Sequence, residues 1–574
     1  MKLGHLCIAP IPNSAMRNSA ALITGALFAC ACAGRDASRV SNAPGGTLII
    51  AAAGEAADIF PPYVNEENGR IIQDLVFDRL AEIDQSLTTV GDKGFTPRLA
   101  RHWTWAPDSL SIAFEIDPRA RWHDGRAVTA RDVQYSFRVF MDPKVASPVA
   151  PLLTNLDSVS VRDSLTAVVW FKKHTPEQFY DVAYQLVIMP EHVYGTIPMD
   201  QLHTSPATRQ LVGSGRFRFS KWEPGVKIEL LADTANYRGR PNVDRVVMSR
   251  IDAASTGEAQ VLTGQADFME AFPPDDAGKL DSNAYVRPVV VPGMSYAFMG
   301  MNPYDPANGH RAHPIFSDRR VRRALSMAVD REAMLHNVFG ANGRLGRGPF
   351  PMSLSVADST LPVPAFDTAA AAALLDSAGW RRGPDGMRSK GGRPLRFSIM
   401  TPTTSAPRKA YALLIQDQLK RYAGAKVDID VVDANAYTPR AQSGKFDAIM
   451  IGYGADPSPA GAKQNWSTGG IGPQGQNWLR YSNPRVDALF DSVASSFDPA
   501  RTKVYASRAY RQIVEDAPAI WLYDFVNVDA VHRRITLAPM RADEWWANIA
   551  DWSIPPDKRI DRDRIGLSAA ASKP

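Results

Sequence analysis

The chain has 574 residues, 45% of them hydrophobic and 22% charged, with 65 basic and 60 acidic residues for a net charge of +5. That length exceeds one ordinary hydrophobic core, so two or three lobes are expected, and the interspersed signs leave no basic block for nucleic acid. The only cysteines are Cys7, Cys30 and Cys32, all near the N-terminus, which excludes a disulfide framework, a cysteine-based metal site and a thiol nucleophile from the body.

Ala20 to Ala29 is an apolar run too short to span a bilayer. It closes Leu27-Phe28-Ala29-Cys30 and resembles a bacterial lipoprotein signal. By that resemblance residues 1–29 are the signal peptide and Cys30 is the lipid attachment site. Cys32 fits less well, because Ala29 stands where the pattern has Leu. A plain cleaved secretory signal is the alternative; either sends the mature chain out of the cytoplasm. Met16-Arg17-Asn18 makes a better charged start than residues 1–15, which hold two prolines and one basic residue, Lys2. Residues 30–46 have the composition of a flexible tether.

Thr47 to Ala52 opens the mature body as a strand, and Ile71 to Leu80 follows as a helix. Ser111 to Ile116 alternates, with Ile112, Phe114 and Ile116 on one face, as a half-buried strand does. Trp122-His123-Asp124-Gly125 is a tight turn. Thr129 is a good N-cap for the helix that follows, on which Val133, Phe137 and Phe140 share a face. Asp318 caps a helix with the apolar stripe Val321, Leu325, Ala328 and Val329, and Gly379 suits a left-handed C-cap. From Arg393 onward strand and helix alternate: Leu395 to Met400, Arg408 to Tyr422, Val427 to Val432, a short helix, then Phe446 to Ile451. That order is α/β.

The last of these strands leads into Gly452, Tyr453, Gly454, Asp456, Pro457 and Pro459. Ligands in open α/β sheets sit beyond the carboxyl ends of strands. Bare backbone, one aromatic ring and one carboxylate there would suit an extended ligand with a positive end. The alternative is a strand-to-loop turn in which Asp456 only turns the chain.

An ordered set of motifs resembles the extracytoplasmic solute-binding proteins of peptide ABC transporters, solute-binding family 5. Pro97-Arg98-Leu99-Ala100, Trp103, Trp122-His123-Asp124-Gly125 and the Thr129 helix carry the N-terminal part. Asn236-Tyr237-Arg238-Gly239, Met301-Asn302, the block from Asp318 to Leu325, and Tyr481-Ser482-Asn483-Pro484 continue it. The resemblance covers roughly residues 47 to 553. It implies an α/β, three-lobed, type II periplasmic-binding-protein-like fold with a hinge between two main lobes. Lobe I would comprise 47–80, 208–292 and 528–555, lobe II 81–207 and lobe III 293–527, with a C-terminal tail from 556 to 574.

The same resemblance implies a non-enzymatic receptor that captures (oligo)peptides between its lobes and delivers them to an ABC permease. Asp456 would pair with the ligand's α-ammonium, three residues after the aromatic Tyr453. Here the aromatic is Tyr rather than Trp, and Asp-Pro-Ser-Pro replaces Asp-x-x-Asp-Pro. Gly452, Gly454, Trp466 and Asn477 complete the expected ligand-binding set. An Arg clamp for the carboxylate of dipeptides is missing from Thr401 to Pro407, with Arg408 only at the next helix start, so dipeptide-only binding is disfavoured. A glycan fragment, an opine-like compound or a metal chelate on the same scaffold is the alternative, and a secreted hydrolase lacks any nucleophile signature. No cofactor, metal or nucleic acid is expected, and the chain is expected to be a monomer held at the membrane by its N-terminal lipid.

Gly470-Ile471-Gly472-Pro473-Gln474-Gly475 matches a dinucleotide glycine pattern but follows no strand, so a loop is expected. His310 and His313 lie among Pro303, Pro306, Asn308 and Pro314, which points to a surface loop rather than a metal site.

Overall fold

Two long strands, Val286–Met301 and Ala519–His532, carry the architecture of this computed structural model, which describes residues 44–472 and 475–564. The expected signal peptide, Cys30, Pro473, Gln474 and residues 565–574 lie outside the described residues. The two strands pair antiparallel. Pro288 and Pro292 fall in the half of the first strand that has only this one partner, where a missing N–H costs no second ladder bond.

Among the described residues the main sheet has eleven strands. Its path runs Lys426–Val432, Arg396–Pro402, Ala448–Gly454, Val286–Met301, Ala519–His532, Phe268–Met269, Thr47–Ala53, Arg245–Ile251, Lys227–Ala232 and Phe217–Glu223. Arg344–Leu345 adds to Ala519–His532 off this path. The end from 396 to 454 is packed on both faces, by a cluster around Phe397, Tyr411 and Leu522 and by one around Phe298, Trp466 and Trp521. A separate four-stranded sheet contains Ala100–Trp105, Ser111–Ile116, Thr166–Phe171 and Leu156–Asp163. Its core is continuous with that of the N-terminal end of the main sheet. The fold is mixed α/β, with the two long strands running through the middle of the main sheet between its two ends.

Register breaks in the middle of this crossing. Pro292 faces Val526 and Tyr296 faces Asp524, so Gly293, Met294 and Ser295 stand opposite Phe525 alone. A bulge of this kind bends a strand. The Gly293 and Met294 carbonyls accept from Ser353 Oγ at 2.9 Å and Ala455 N at 2.7 Å, which ties the bend to its neighbours.

Local chemistry explains where element ends differ from the sequence expectation. The first helix spans Glu67–Val76 rather than 71–80, because the Glu66 carboxylate accepts from the N–H groups of Asn68 and Gly69 and starts it early. Thr129 and Asp132 form a capping box at the head of Ala130–Met141. The helix Ala406–Gln418 begins two residues before Arg408, with the Ser405 side chain at its cap. The strand expected at 446–451 spans Ala448–Gly454, so its glycines and Tyr453 lie inside it.

The segment expected to be a tail is packed as far as it is described. Asp563 is buried, accepts from Thr47 N at 2.8 Å and pairs with Arg534 at 2.5 Å; Arg534 also holds Asp267. His313 is also buried rather than on a surface loop. Its Nε2 lies 3.1 Å from Asp447 Oδ1, and its Nδ1 accepts from the N–H groups of Ile315 and Phe316. His123 Nε2 lies 2.9 Å from the Gly215 carbonyl and its Nδ1 accepts from Gly213 N, so it clamps a neighbouring loop.

Candidate functional site

A cavity of about 620 Å³ has Glu177, Tyr180 and Asp181 on one wall and Met294 and Ala455–Ser458 on the other. Val64, Arg79, Asp543 and Glu544 close its base. The two walls touch beside it: Ser458 Oγ donates to Glu177 Oε2 at 2.7 Å, and the rings of His174 and Phe497 approach to 4.1 Å.

Asp456 faces this cavity from just beyond the end of Ala448–Gly454. Ala455 N is anchored to Met294 O, and Asp456 Oδ1 accepts from Ser458 N at 2.9 Å. Gly461 lies so close that a Cβ there would stand 2.9 Å from Asp456 Oδ1. Asp456 is exposed as a residue, and its carboxylate is open to the cavity. Partial desolvation by the cavity wall raises its pKa against the Ser458 hydrogen bond, which lowers it. Among the described residues no cation stands within ion-pair distance of Asp456.

The other expected residues divide into backbone and support. Gly452 pairs with Ala297 and Gly454 with Ser295. A Cβ on Gly452 would meet Arg408 Nη2 at 2.9 Å and the Phe525 ring at 3.2 Å. Tyr453 is buried, with its hydroxyl donating to Gln476 O at 2.7 Å. Trp466 is 0% exposed, and its indole N–H donates to Tyr296 Oη at 2.8 Å. Asn477 is also buried and spans a loop, donating to the carbonyls of Ser467 and Tyr481 and accepting from Tyr481 N. The structure therefore brings Gly452, Gly454 and Asp456 together at the strand end. It places the side chains of Tyr453, Trp466 and Asn477 in the packing behind it.

Glu177, Tyr180 and Asp181 escaped the sequence reading. They come from the helix Gln178–Ala183 and its cap. Burial raises the pKa of Glu177, opposed by hydrogen bonds from Thr89 and Ser458. Burial, and then repulsion from Glu177, pushes Asp181 up to about 7. The signal available in sequence was an acidic pair four residues apart, Glu177 and Asp181, an arrangement that weakens a helix unless something else uses it.

Arg408 also differs from expectation. Although it lies in the first turn of a helix, its guanidinium reaches the backbone at Gly452, and its Nε has no hydrogen-bond partner among the described residues. The basic group in the cavity base is already occupied: Arg79 pairs with Asp74 at 2.9 Å and Glu544 at 3.9 Å. Among the described residues no group of His, Cys, Asp and Glu side chains is placed to hold a metal ion.

The family model for bacterial extracellular solute-binding proteins, family 5 middle, matches residues 94–473. The chain is 25% identical over 525 residues to the oligopeptide-binding protein AppA of Bacillus subtilis, covering 89% of this chain and 93% of that one. The solved structure of AppA with a nonapeptide matches with a TM-score of 0.65 at 24% identity, over 90% of this chain and all of that one. NikZ of Campylobacter jejuni, solved with Ni(L-His), matches with a TM-score of 0.67 at 21% identity, over 89% of this chain and all of that one. With the family model spanning more than half its length, the chain belongs to the bacterial extracellular solute-binding proteins of family 5.

Proposed function

We propose that this protein is the extracytoplasmic receptor of an ABC importer that captures peptides between lobes II and III and presents them to a membrane permease. The observation that carries this reading is the unpaired Asp456 carboxylate at the cavity wall. The cavity wall partly desolvates this carboxylate, and closure on a ligand would leave it needing a cation, which a peptide's α-ammonium supplies.

The neighbouring strand supplies the rest of the recognition. Ala448–Gly454 pairs with Arg396–Pro402 only at Ala448 and Ile449, which leaves Met450–Gly454 with a strand partner on one side only. An extended peptide can add to such an edge through main-chain hydrogen bonds. Gly454 keeps the surface bare, Gly452 lets Arg408 and Phe525 approach the strand, and Tyr453, Trp466 and Asn477 hold the wall from behind. The nonapeptide found in the AppA structure supports an extended peptide as the ligand. The reading includes no catalytic step.

Mass spectrometry of material co-purified with the protein tests it directly. Intact peptides released on denaturation are the expected result. Recovery of only a non-peptide solute, or cleavage of an added peptide by the purified protein, would contradict the reading.

We extend the reading to the membrane. Cys30, as the lipid attachment site, would tether the receptor beside its permease, since a buried acyl chain gains affinity with each CH₂. Cys30→Ser is expected to move the protein from the membrane to the soluble fraction. Retention of Cys30→Ser together with release of Cys32→Ser would assign the lipid to the other cysteine.

A further inference from the structure

The charges of the chain are nearly balanced, 65 basic against 60 acidic, but they are not evenly spread. Residues 381–426 hold eleven Lys and Arg against two carboxylates, Asp385 and Asp417. The basic residues form no continuous run, and folding is what gathers them. The strands Arg381–Arg382, Arg388–Lys390 and Arg393–Pro394 make a small antiparallel sheet. Its second turn is Gly391-Gly392, both at positive φ, so Lys390 and Arg393 stand directly opposite each other. Arg388 N donates to Gly424 O at 2.8 Å and Arg382 Nη2 to Tyr422 O at 3.1 Å. These bonds join the small sheet to the segment leading into Lys426–Val432, the edge strand of the main sheet.

Arg382, Lys390, Arg393, Lys420 and Lys426 are exposed at this corner, and among the described residues none has a carboxylate within ion-pair distance. Other cations take the nearby acids: Asp376 is held by Arg388 at 2.6 Å, Asp428 by Arg396 at 2.7 Å, and Asp417 by Arg421. Unanswered like charges repel and work against the compact state. Charge alone names no partner, and the second observation is apolar. Phe366 is 42% exposed, with its ring 5.3 Å from that of Tyr422, whose carbonyl holds Arg382 and whose ring lies against Arg421. Leu413, 49% exposed, stands one helical turn from Lys409 and from Asp417. Headgroup phosphates attract Lys and Arg, and aromatic and leucine side chains settle at the headgroup level, so this mixture suits a membrane interface.

We propose that this surface docks on anionic phospholipid headgroups and so sets which face of the protein lies against the bilayer. Chain length permits it. Cys30 precedes Pro44, the first described residue, by fourteen positions, a contour of up to about 50 Å. Thr47–Ala53 lies six strands from Lys426–Val432 along the main sheet, about 29 Å at the usual strand spacing. A lipid at Cys30 and the basic surface can therefore meet one membrane. The docking surface goes beyond peptide capture and depends neither on it nor on which cysteine carries a lipid.

Co-sedimentation with vesicles tests the proposal, using the full chain carrying Cys30→Ser and Cys32→Ser so that no acyl chain contributes. The probes are vesicles of phosphatidylcholine alone, vesicles of phosphatidylcholine and phosphatidylglycerol in equal parts, and a single-stranded DNA oligonucleotide. The protein is expected to partition about tenfold or more strongly onto the phosphatidylglycerol vesicles, and to leave them in about 1 M salt, where charges are screened within about 3 Å. Arg382→Gln/Lys390→Gln/Arg393→Gln is expected to reduce that partition about tenfold or more, and Phe366→Ser about threefold or more. If the triple variant does not fold, Lys390→Gln/Arg393→Gln at the exposed turn carries the comparison. Equal partition onto the two vesicles, or unchanged partition of these variants, overturns the lipid surface. Binding of the oligonucleotide as tight as that of the phosphatidylglycerol vesicles would make the patch a general polyanion surface and overturn the lipid assignment.

Discussion

The Ser458 hydroxyl donates to Glu177 Oε2 at 2.7 Å, joining two residues 281 positions apart in the chain. This hydrogen bond joins the two walls of the cavity that both residues line. On the proposed reading, closure on a ligand would be linked to the state of this carboxylate. Hinge closure around a ligand needs interactions that exist only in the closed form.

Ser458→Ala removes this bond, together with the one its hydroxyl accepts from Ala460 N at 3.2 Å within its own loop. Hydrogen bonds to charged groups contribute about 1.5–3 kcal/mol, so peptide affinity is expected to fall by roughly tenfold or more. Small-angle scattering of the ligand-free variant should show a larger radius of gyration than the wild type. An unchanged radius and unchanged affinity would show that this contact does not govern closure.

The pH dependence follows from Asp181, pushed up to about 7 by burial and by Glu177. Its ordinary value is about 3.9. Between those values the folded protein binds more protons than the unfolded chain, so this contribution to stability is lost as pH rises through the window. The melting temperature of the ligand-free wild type should therefore fall more steeply between about pH 4 and 7 than that of Asp181→Asn. Identical slopes for the two proteins would remove Asp181 from the account.

Trp466 tests the division between wall and lining. It is fully buried and bonded to Tyr296 Oη, so Trp466→Phe loses a hydrogen bond and some packing. A loss of about 1–2 kcal/mol in unfolding free energy is expected, with peptide affinity within about threefold of the wild type. A large affinity loss at unchanged stability would instead place the indole on the ligand.

Patterns that are local in sequence were legible. The strand at Ser111–Ile116 and the Thr129 cap each depend on a few neighbouring residues, and the structure contains that strand, buried on both faces rather than half-buried, and a capping box. The end of the strand Ala448–Gly454 was misjudged by three residues, because glycine is disfavoured in strand interiors unless another group packs close to it. Here the Arg408 guanidinium and Phe525 ring do so. Long-range features were not legible. Glu177 faces the cavity across from Ser458, 281 positions away in the chain. The burial of His313 depends on Asp447, 134 positions away. Asp563 looked like part of a tail because its partner, Arg534, is far from it in pattern though near in space.

The most direct measurement is calorimetric titration of wild type and Asp456→Asn with a free peptide and its N-acetylated form. The account predicts that Asp456→Asn weakens the free peptide by roughly 2–5 kcal/mol, the range for breaking one side of a buried charge pair. It predicts that the acetylated peptide binds the wild type poorly and loses much less in the variant, so that the cycle isolates the ammonium–carboxylate pair. Equal affinity of wild type and Asp456→Asn for the free peptide would contradict the account and leave Asp456 as a turn residue.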